Sequence, residues 1–137
     1  MKTSKGFTLL ELLVVIVIIG LLAGYVAPRY FSQVGRSEIQ VARAQIDSLE
    51  KALDQFRIDM RRYPSAEEGL EVLVAKPASP GNWNGPYLKK AVPADPWGRA
   101  YVYRTPAAKA GADFEVVSFG RDGKAGGSGE DADIGVQ

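Results

Sequence analysis

The first 28 residues divide into a short polar head and a long apolar run. The run covers residues 7–28 and contains one charged side chain, Glu11. Its length matches the roughly 20 residues that an α-helix needs to cross a hydrocarbon core. A carboxylate at the centre of such a helix costs about 2.5–3.5 kcal/mol on insertion scales, so a function is expected for Glu11.

Two simpler interpretations of the apolar run remain open. A cleaved secretory signal has an apolar region of roughly 7–15 residues, followed by an A-x-A-like cleavage site. The run in this chain is longer, no good site of that kind follows it, and a secretory core has no use for a glutamate. A plain single-span anchor is the second alternative.

Helical periodicity continues beyond the apolar run. Apolar residues recur at alternating intervals of three and four, the spacing of one face of an α-helix. They are Ile39, Ala42, Ile46, Leu49, Leu53, Phe56 and Met60. The run and this seam together predict one helix of about 55 residues that stops before Pro64 and packs its seam on the chain's own C-terminal part. Pro28 is a weak point because proline removes a backbone hydrogen bond.

The remaining pattern predicts a small head that makes the whole chain α+β. Ser65 and Glu68 form a capping-box pattern that predicts a short helix through about Ala75. Strand patterns at residues 100–104 and 114–119 predict a loose hairpin, with a possible third strand near residues 87–91. The residues expected in the core are Tyr101, Tyr103, Phe114 and Val116.

Composition narrows the possible functions. The chain has 137 residues, a formal net charge of +1, and no cysteine or histidine. Disulfides, zinc thiolate sites and cysteine nucleophiles are excluded, and the commonest general base is absent. No block of arginine and lysine interleaves with aromatic residues, so nothing indicates nucleic-acid binding.

The C-terminal segment combines glycine with acidic residues. Glycine allows the backbone to turn carbonyls inward, and hard cations such as Ca²⁺ bind six to eight oxygens. The carboxylates are those of Asp122, Glu130, Asp131 and Asp133. The segment does not fit an EF-hand loop. With Asp122 as position 1, Lys124 and Gly126 fall at ligand positions 3 and 5, and neither side chain can bind calcium. A solvated acidic, glycine-rich tail is the alternative.

Five segments carry a resemblance to a known family. The segment Lys5-Gly-Phe-Thr-Leu-Leu-Glu11 looks like the processing motif of type IV pilin-like proteins. The segments 85–90 and 93–101 resemble the head of the major pseudopilin of type II secretion systems. The segments 118–127 and 131–135 are similar to that family's calcium-binding loop, and the resemblance covers nearly the whole chain.

The resemblance implies a type IV pilin-like fold, with a long helix packed on a small head that has a two- or three-stranded antiparallel sheet. It implies a leader at residues 1–6, a transmembrane and polymerisation helix at 7–28, and a periplasmic head at 29–137 with a calcium loop at about 118–135. A prepilin peptidase would cut after Gly6 and methylate Phe7. Glu11 of a neighbouring subunit would pair with the new amine, and Pro28 would loosen the helix during assembly.

The resemblance also implies Ca²⁺ as cofactor. Its ligands would be the side chains of Asp122, Asp131 and Asp133 and backbone carbonyls near Phe119 and Ser128, with Glu130 as a possible substitute.

The expected function is structural: a homopolymeric pseudopilus in which this chain is the major subunit, at the Gram-negative inner membrane. Its partners would be the prepilin peptidase, minor pseudopilins and the inner-membrane assembly platform. A type IV pilin of a surface pilus, for adhesion, motility or DNA uptake, is the nearest alternative. A membrane-anchored enzyme is a distant one.

Overall fold

The computed structural model of the protein describes residues 5–135. Residues 1–4 of the predicted leader and residues 136–137 of the predicted head lie outside that range. In chain order the elements are α1 Leu9–Met60, a first 3₁₀ turn Glu71–Leu73, β1 Val102–Arg104, β2 Glu115–Val117 and a second 3₁₀ turn Gly129–Asp131. The predicted α+β class is confirmed, and the single long helix of 52 residues agrees with the predicted one.

The chain separates into two compact units, Met1–Arg36 and Ser37–Gln137. In the described part of the first unit, the helix continues without interruption through Pro28. Its large apolar side chains face outward: Leu9 is 86% exposed and Leu21 is 72% exposed. By length and composition this helix is able to cross a membrane, and its most apolar stretch is not buried against other parts of the protein.

The second unit is built on the apolar seam of α1. Ala42, Ile46, Leu49, Leu53 and Phe56 are buried, and Ile39 and Met60 are partly buried against them. Burying a large aliphatic or aromatic side chain contributes about 1.5–3 kcal/mol, so this face supplies much of the stability of the unit. The predicted seam is therefore confirmed as the core face of the helix.

The two strands form an antiparallel pair in which Val102 lies opposite Val117 and Arg104 opposite Glu115. Tyr101 and Val116 are buried, while Tyr103 and Phe114 pack against the core from its edge. The predicted hairpin and core residues are confirmed, although each strand is shorter than its pattern suggested.

The third strand predicted near residues 87–91 is absent from the described sheet. The backbone N–H groups of Tyr87 and Leu88 both donate to the carbonyl oxygen of Leu73, at 2.7 and 3.3 Å. Because these donors are used by the first 3₁₀ turn, the segment does not pair with a strand. The additional bridges in this unit join Ala94 to Ala100 and Ser118 to Ile134.

The capping box at Ser65 forms, but the helix predicted to follow it does not. The Ser65 N–H donates to Glu68 Oε2 at 2.8 Å, and the Glu68 N–H donates to Ser65 Oγ at 3.2 Å. Gly69 then adopts φ +61°, a left-handed conformation that ends a right-handed helix. The prediction of a helix through Ala75 is therefore wrong: a turn and the short 3₁₀ turn Glu71–Leu73 take its place.

Candidate functional site

The predicted processing point lies in an exposed segment ahead of the helix. Gly6 and Phe7 precede the first helical residue, Leu9, and Phe7 is 88% exposed. A methyl group built on Gly6 would contact nothing within 4 Å. An exposed backbone outside regular structure is the kind of substrate that a peptidase can bind.

Glu11 caps the start of α1 within its own chain. Its Oε2 atom accepts hydrogen bonds from the Thr8 N–H at 2.9 Å and from the Thr8 hydroxyl at 3.0 Å. The Glu11 N–H in turn donates to Thr8 Oγ1 at 3.2 Å. This reciprocal arrangement is a capping box, and the pattern Thr8-x-x-Glu11 is the sequence signal for it. The carboxylate therefore has its partner within its own chain, at a position four residues after Phe7.

Pro28 lies inside α1. Proline has no backbone N–H, so it donates nothing to the carbonyl oxygen of Gly24 one turn earlier. Glycine is itself a poor helix former, and a methyl group at Gly24 would meet nothing within 4 Å. The helix therefore lacks one backbone hydrogen bond at residues 24–28.

The acidic residues of the C-terminal loop do not converge on one point. Among residues 5–135, no group of three or more acidic side chains is placed to hold a metal ion. Asp131 and Glu130 both pair with the guanidinium of Arg121, at 3.0 and 2.7 Å. These carboxylates raise the pKa of Arg121 through hydrogen bonding and charge, with Asp131 the larger cause.

Asp122 and Asp133 form local hydrogen bonds that shape the loop. Asp122 Oδ1 accepts the Lys124 N–H at 3.0 Å, and Asp133 Oδ2 accepts the Gly126 N–H at 3.0 Å. Asp133 Oδ1 is buried and has no hydrogen-bond partner in the described part of the chain. A buried carboxylate oxygen without a donor is unfavourable, so this atom calls for a cation or a water.

The two predicted backbone ligands lie at opposite ends of the loop. Phe119 follows the bridge residue Ser118, and its ring lies 5.7 Å from the Arg104 guanidinium. The carbonyl oxygen of Ser128 accepts the Asp131 N–H at 3.1 Å, within the second 3₁₀ turn. Gly127 lies against the carbonyl of Asp131 so closely that a β-carbon would collide with it. The loop is therefore tightly folded at Gly127, and the buried Asp133 Oδ1 atom is the one observation in the described residues that fits a hard cation such as calcium.

Asp95 organises the base of this loop, although the sequence pattern did not single it out. It is 5% exposed; its Oδ1 accepts the N–H groups of Trp97 and Arg99 at 3.1 and 2.8 Å. Its Oδ2 accepts the hydroxyl of Ser118 at 2.7 Å. The Asp95-Pro-Trp-Gly-Arg99 turn is thereby fixed to the residue at which β2 leads into the loop.

The same turn makes two further connections. The Arg99 guanidinium donates to the carbonyl oxygens of Gly120 and Arg121 at 3.1 and 3.0 Å. The indole N–H of Trp97 donates to Glu38 on α1 at 3.1 Å. The turn therefore connects helix, strand and loop. The sequence signal that could have identified it is the clustering of Asp, Pro, Trp, Gly and Arg within five residues.

Two known family models match this chain, one over its N-terminal part and one over the rest. The model described as "Type II secretion system (T2SS), protein G" matches residues 29–137, and the "Prokaryotic N-terminal methylation motif" model matches residues 1–27. The chain belongs to the protein G family of the type II secretion system. Its exposed apolar helix fits membrane anchoring, and the family is one of structural secretion components.

Relatives of the protein G family match along almost the full length. The type II secretion system core protein G of Pseudomonas aeruginosa is 44% identical, with 98% of this chain and 95% of the relative covered. The corresponding protein of Vibrio cholerae is 44% identical, with 98% and 92% covered. The crystal structure of the major pseudopilin from the type 2 secretion system of enterohaemorrhagic Escherichia coli is 34% identical. It matches with a TM-score of 0.62 over 77% of this chain and 91% of that chain.

Proposed function

We propose that this chain is the repeating subunit of a type II secretion pseudopilus, whose polymerisation drives folded periplasmic proteins across the outer membrane. The observation that carries the proposal is the family match over both parts of the chain, from the methylation motif to the protein G head. The structure supports it with an apolar helix whose large side chains, in the described part of the first unit, are exposed. Such a helix needs lipid or other helices around it.

Processing would convert the anchor into an assembly element. A peptidase cut between Gly6 and Phe7 creates a positive amine at Phe7. In a filament, Glu11 of a neighbouring subunit would pair with that amine, because two opposite charges are less costly together than apart in a low-dielectric environment. Its present partners, the N–H and hydroxyl of Thr8, are neutral donors and carry no charge that would compete with the amine for this carboxylate.

Pro28 would serve assembly through the local weakness of the helix. Residues 24–28 combine a glycine with a missing hydrogen-bond donor. Loosening this stretch costs less than loosening any fully bonded turn, so the helix is able to adjust there as subunits pack.

Calcium would fasten the C-terminal loop. The oxygens offered are the side chains of Asp122, Asp131 and Asp133, with Glu130 as a substitute, and the backbone carbonyls at Phe119 and Ser128. The support is the buried Asp133 Oδ1 atom, which has no hydrogen bond within the described residues. The ion would neutralise this charge and stabilise the folded head by mass action.

The proposed location is the Gram-negative inner membrane, with a single span, a cytoplasmic leader and a periplasmic head. The proposed partners are further copies of this chain, the prepilin peptidase, minor pseudopilins and the assembly platform of the inner membrane. The role is structural and requires no catalytic residue of the chain's own.

The direct test is deletion of this chain in its own cells, with the wild-type gene restored as control. A pseudopilus subunit predicts that secreted proteins accumulate in the periplasm and that the restored gene releases them. Normal secretion together with loss of surface pili, adhesion or DNA uptake would instead favour a type IV pilin. The calcium proposal is tested by the melting temperature of the detergent-solubilised chain in millimolar Ca²⁺ and in chelator, with Asp133→Asn as the comparison variant. A melting temperature that does not respond to Ca²⁺ in the wild-type chain contradicts it.

A further inference from the structure

Arg121 is bound to the second 3₁₀ turn by both its main chain and its side chain. Its N–H donates to the carbonyl oxygen of Glu130 at 3.0 Å. Its Nη1 lies 2.7 Å from Glu130 Oε2, and its Nε lies 3.0 Å from Asp131 Oδ1. The guanidinium thus sits between two carboxylates that the proposed calcium site would also use.

Asp131 is the side chain at which the two uses conflict. Arg121 Nη2 lies 3.4 Å from Asp131 Oδ2, so both carboxylate oxygens face the same planar cation. A guanidinium is permanently charged and its fork matches a carboxylate. A calcium ion on the same oxygens would stand next to that positive charge, and the two cations would repel each other.

The pairs with Arg121 also offset repulsion between neighbouring carboxylates in this loop. Glu130 and Asp131 are adjacent in sequence and carry like charges. Their side chains are 29% and 35% exposed, so solvent does not fully screen them. One arginine between them offsets that repulsion and joins the start of the loop to its return.

We infer that Arg121 is an internal cation that holds Glu130 and Asp131 in the metal-free loop and competes with calcium for them. This inference rests on the proposed calcium site. Arg121 then sets the calcium affinity of this chain: the guanidinium must leave Asp131 before that carboxylate binds the metal. Removing it weakens the metal-free loop and strengthens calcium binding at the same time.

Lys124 provides a matched control in the same loop. None of the ion pairs found within residues 5–135 involves its ammonium group, and its backbone N–H, which bonds to Asp122, remains in any variant. Lys124→Gln therefore removes one positive charge from the loop without removing a carboxylate partner. Any effect of net charge alone appears equally in Arg121→Gln and Lys124→Gln.

The experiment compares the full-length wild type, Arg121→Gln and Lys124→Gln in detergent at physiological salt. Calcium affinity is measured by calorimetric titration, and melting in chelator is followed by tryptophan fluorescence. Because Arg121→Gln removes the cation that competes for these carboxylates, we expect this variant to bind Ca²⁺ about fivefold more tightly than the wild type. We expect Lys124→Gln to stay within about twofold. In chelator, Arg121→Gln should melt at a lower temperature than Lys124→Gln.

A further variant, Arg121→Lys, keeps the charge without the planar fork and should fall between wild type and Arg121→Gln. Calcium binding by Arg121→Gln that is equal to or weaker than that of Lys124→Gln overturns the competition, while the calcium site itself stands. Absence of calcium binding in every chain overturns the calcium site and the competition together.

Discussion

The carboxylate of Asp95 accepts a 2.7 Å hydrogen bond from the hydroxyl of Ser118, and both residues are buried. This bond joins the turn before β1 to the residue that follows β2 and begins the C-terminal loop. Because the second oxygen of Asp95 accepts two backbone N–H groups of its own turn, one side chain both shapes this turn and joins it to Ser118.

Asp95→Ala is expected to destabilise the head by about 3 kcal/mol, because it leaves a buried hydroxyl and two N–H groups without an acceptor. Asp47→Ala is the matched control. Asp47 also loses a carboxylate hydrogen bond, to Lys51 at 2.7 Å, but both of these side chains are mostly exposed. The control should change stability much less than Asp95→Ala does. Urea denaturation measures the free energy of unfolding of both variants. An equal decrease in the two would contradict a central structural role for Asp95.

Glu68 provides a pH-dependent contribution to stability. Arg62 donates to both oxygens of Glu68, at 2.6 and 2.8 Å, and with the Ser65 N–H it lowers the pKa of Glu68 from 4.5 to about 2. A carboxyl whose folded pKa is depressed stabilises the fold above its unfolded pKa. That contribution is lost as the pH falls from 4.5 towards 2.

Glu68→Gln keeps the capping geometry but removes the charge. At pH 7 we expect it to cost about 1 kcal/mol, a value reduced for solvent screening because Arg62 is 41% exposed. The difference between wild type and variant should shrink steadily between pH 4.5 and pH 2 in denaturation curves. A difference that stays constant over that range would show that the Arg62–Glu68 pair does not contribute.

Gly126 and Gly127 offer a matched pair in the C-terminal loop. Both have positive φ, +96° and +85°, so alanine strains the backbone at either position by about 1 kcal/mol. Only at Gly127 would the new methyl group also collide with the carbonyl of Asp131; at Gly126 it meets nothing within 4 Å. Gly127→Ala should therefore lower the melting temperature more than Gly126→Ala. Equal melting temperatures would mean that the tight approach at Gly127 is not maintained in solution.

The parts of the fold that the sequence predicts well depend on local pattern. The seam from Ile39 to Met60 follows from helical spacing, and the hairpin follows from two short apolar segments joined by a loop. The capping box at Ser65 was predicted correctly as well. The helix predicted to follow it was wrong. Gly69 adopts a left-handed conformation that ends the helix, and a sequence alone does not show which conformation a glycine adopts.

The parts of the fold that the sequence predicts poorly depend on contacts between residues far apart in the chain. Asp95 and Ser118 are separated by 23 positions, and nothing in either local pattern requires them to meet. The segment at 87–91 has strand-like character, yet its donors bind Leu73. The acidic residues at the C-terminus were noted from composition and their calcium ligation from the family resemblance, whereas neither indicated the ion pairs with Arg121.

We propose above all that Glu11 supplies a charge for subunit assembly after cleavage at Gly6. Its Thr8 contacts provide a second role, helix capping, and the two roles respond differently to substitution. A capping box accepts glutamine in place of glutamate, whereas an ion pair with an amine requires the charge. Glu11→Gln therefore separates them.

The decisive measurement uses cells that lack this chain and express wild type, Glu11→Gln or Glu11→Ala. Mass spectrometry of the mature N-terminus reports cleavage before Phe7, and the yield of sheared filaments reports assembly. We predict that all three chains are inserted and cleaved, and that only the wild type assembles. Filaments in normal amount from Glu11→Ala would contradict any assembly role for this residue, and normal assembly of Glu11→Gln would contradict the role of its charge.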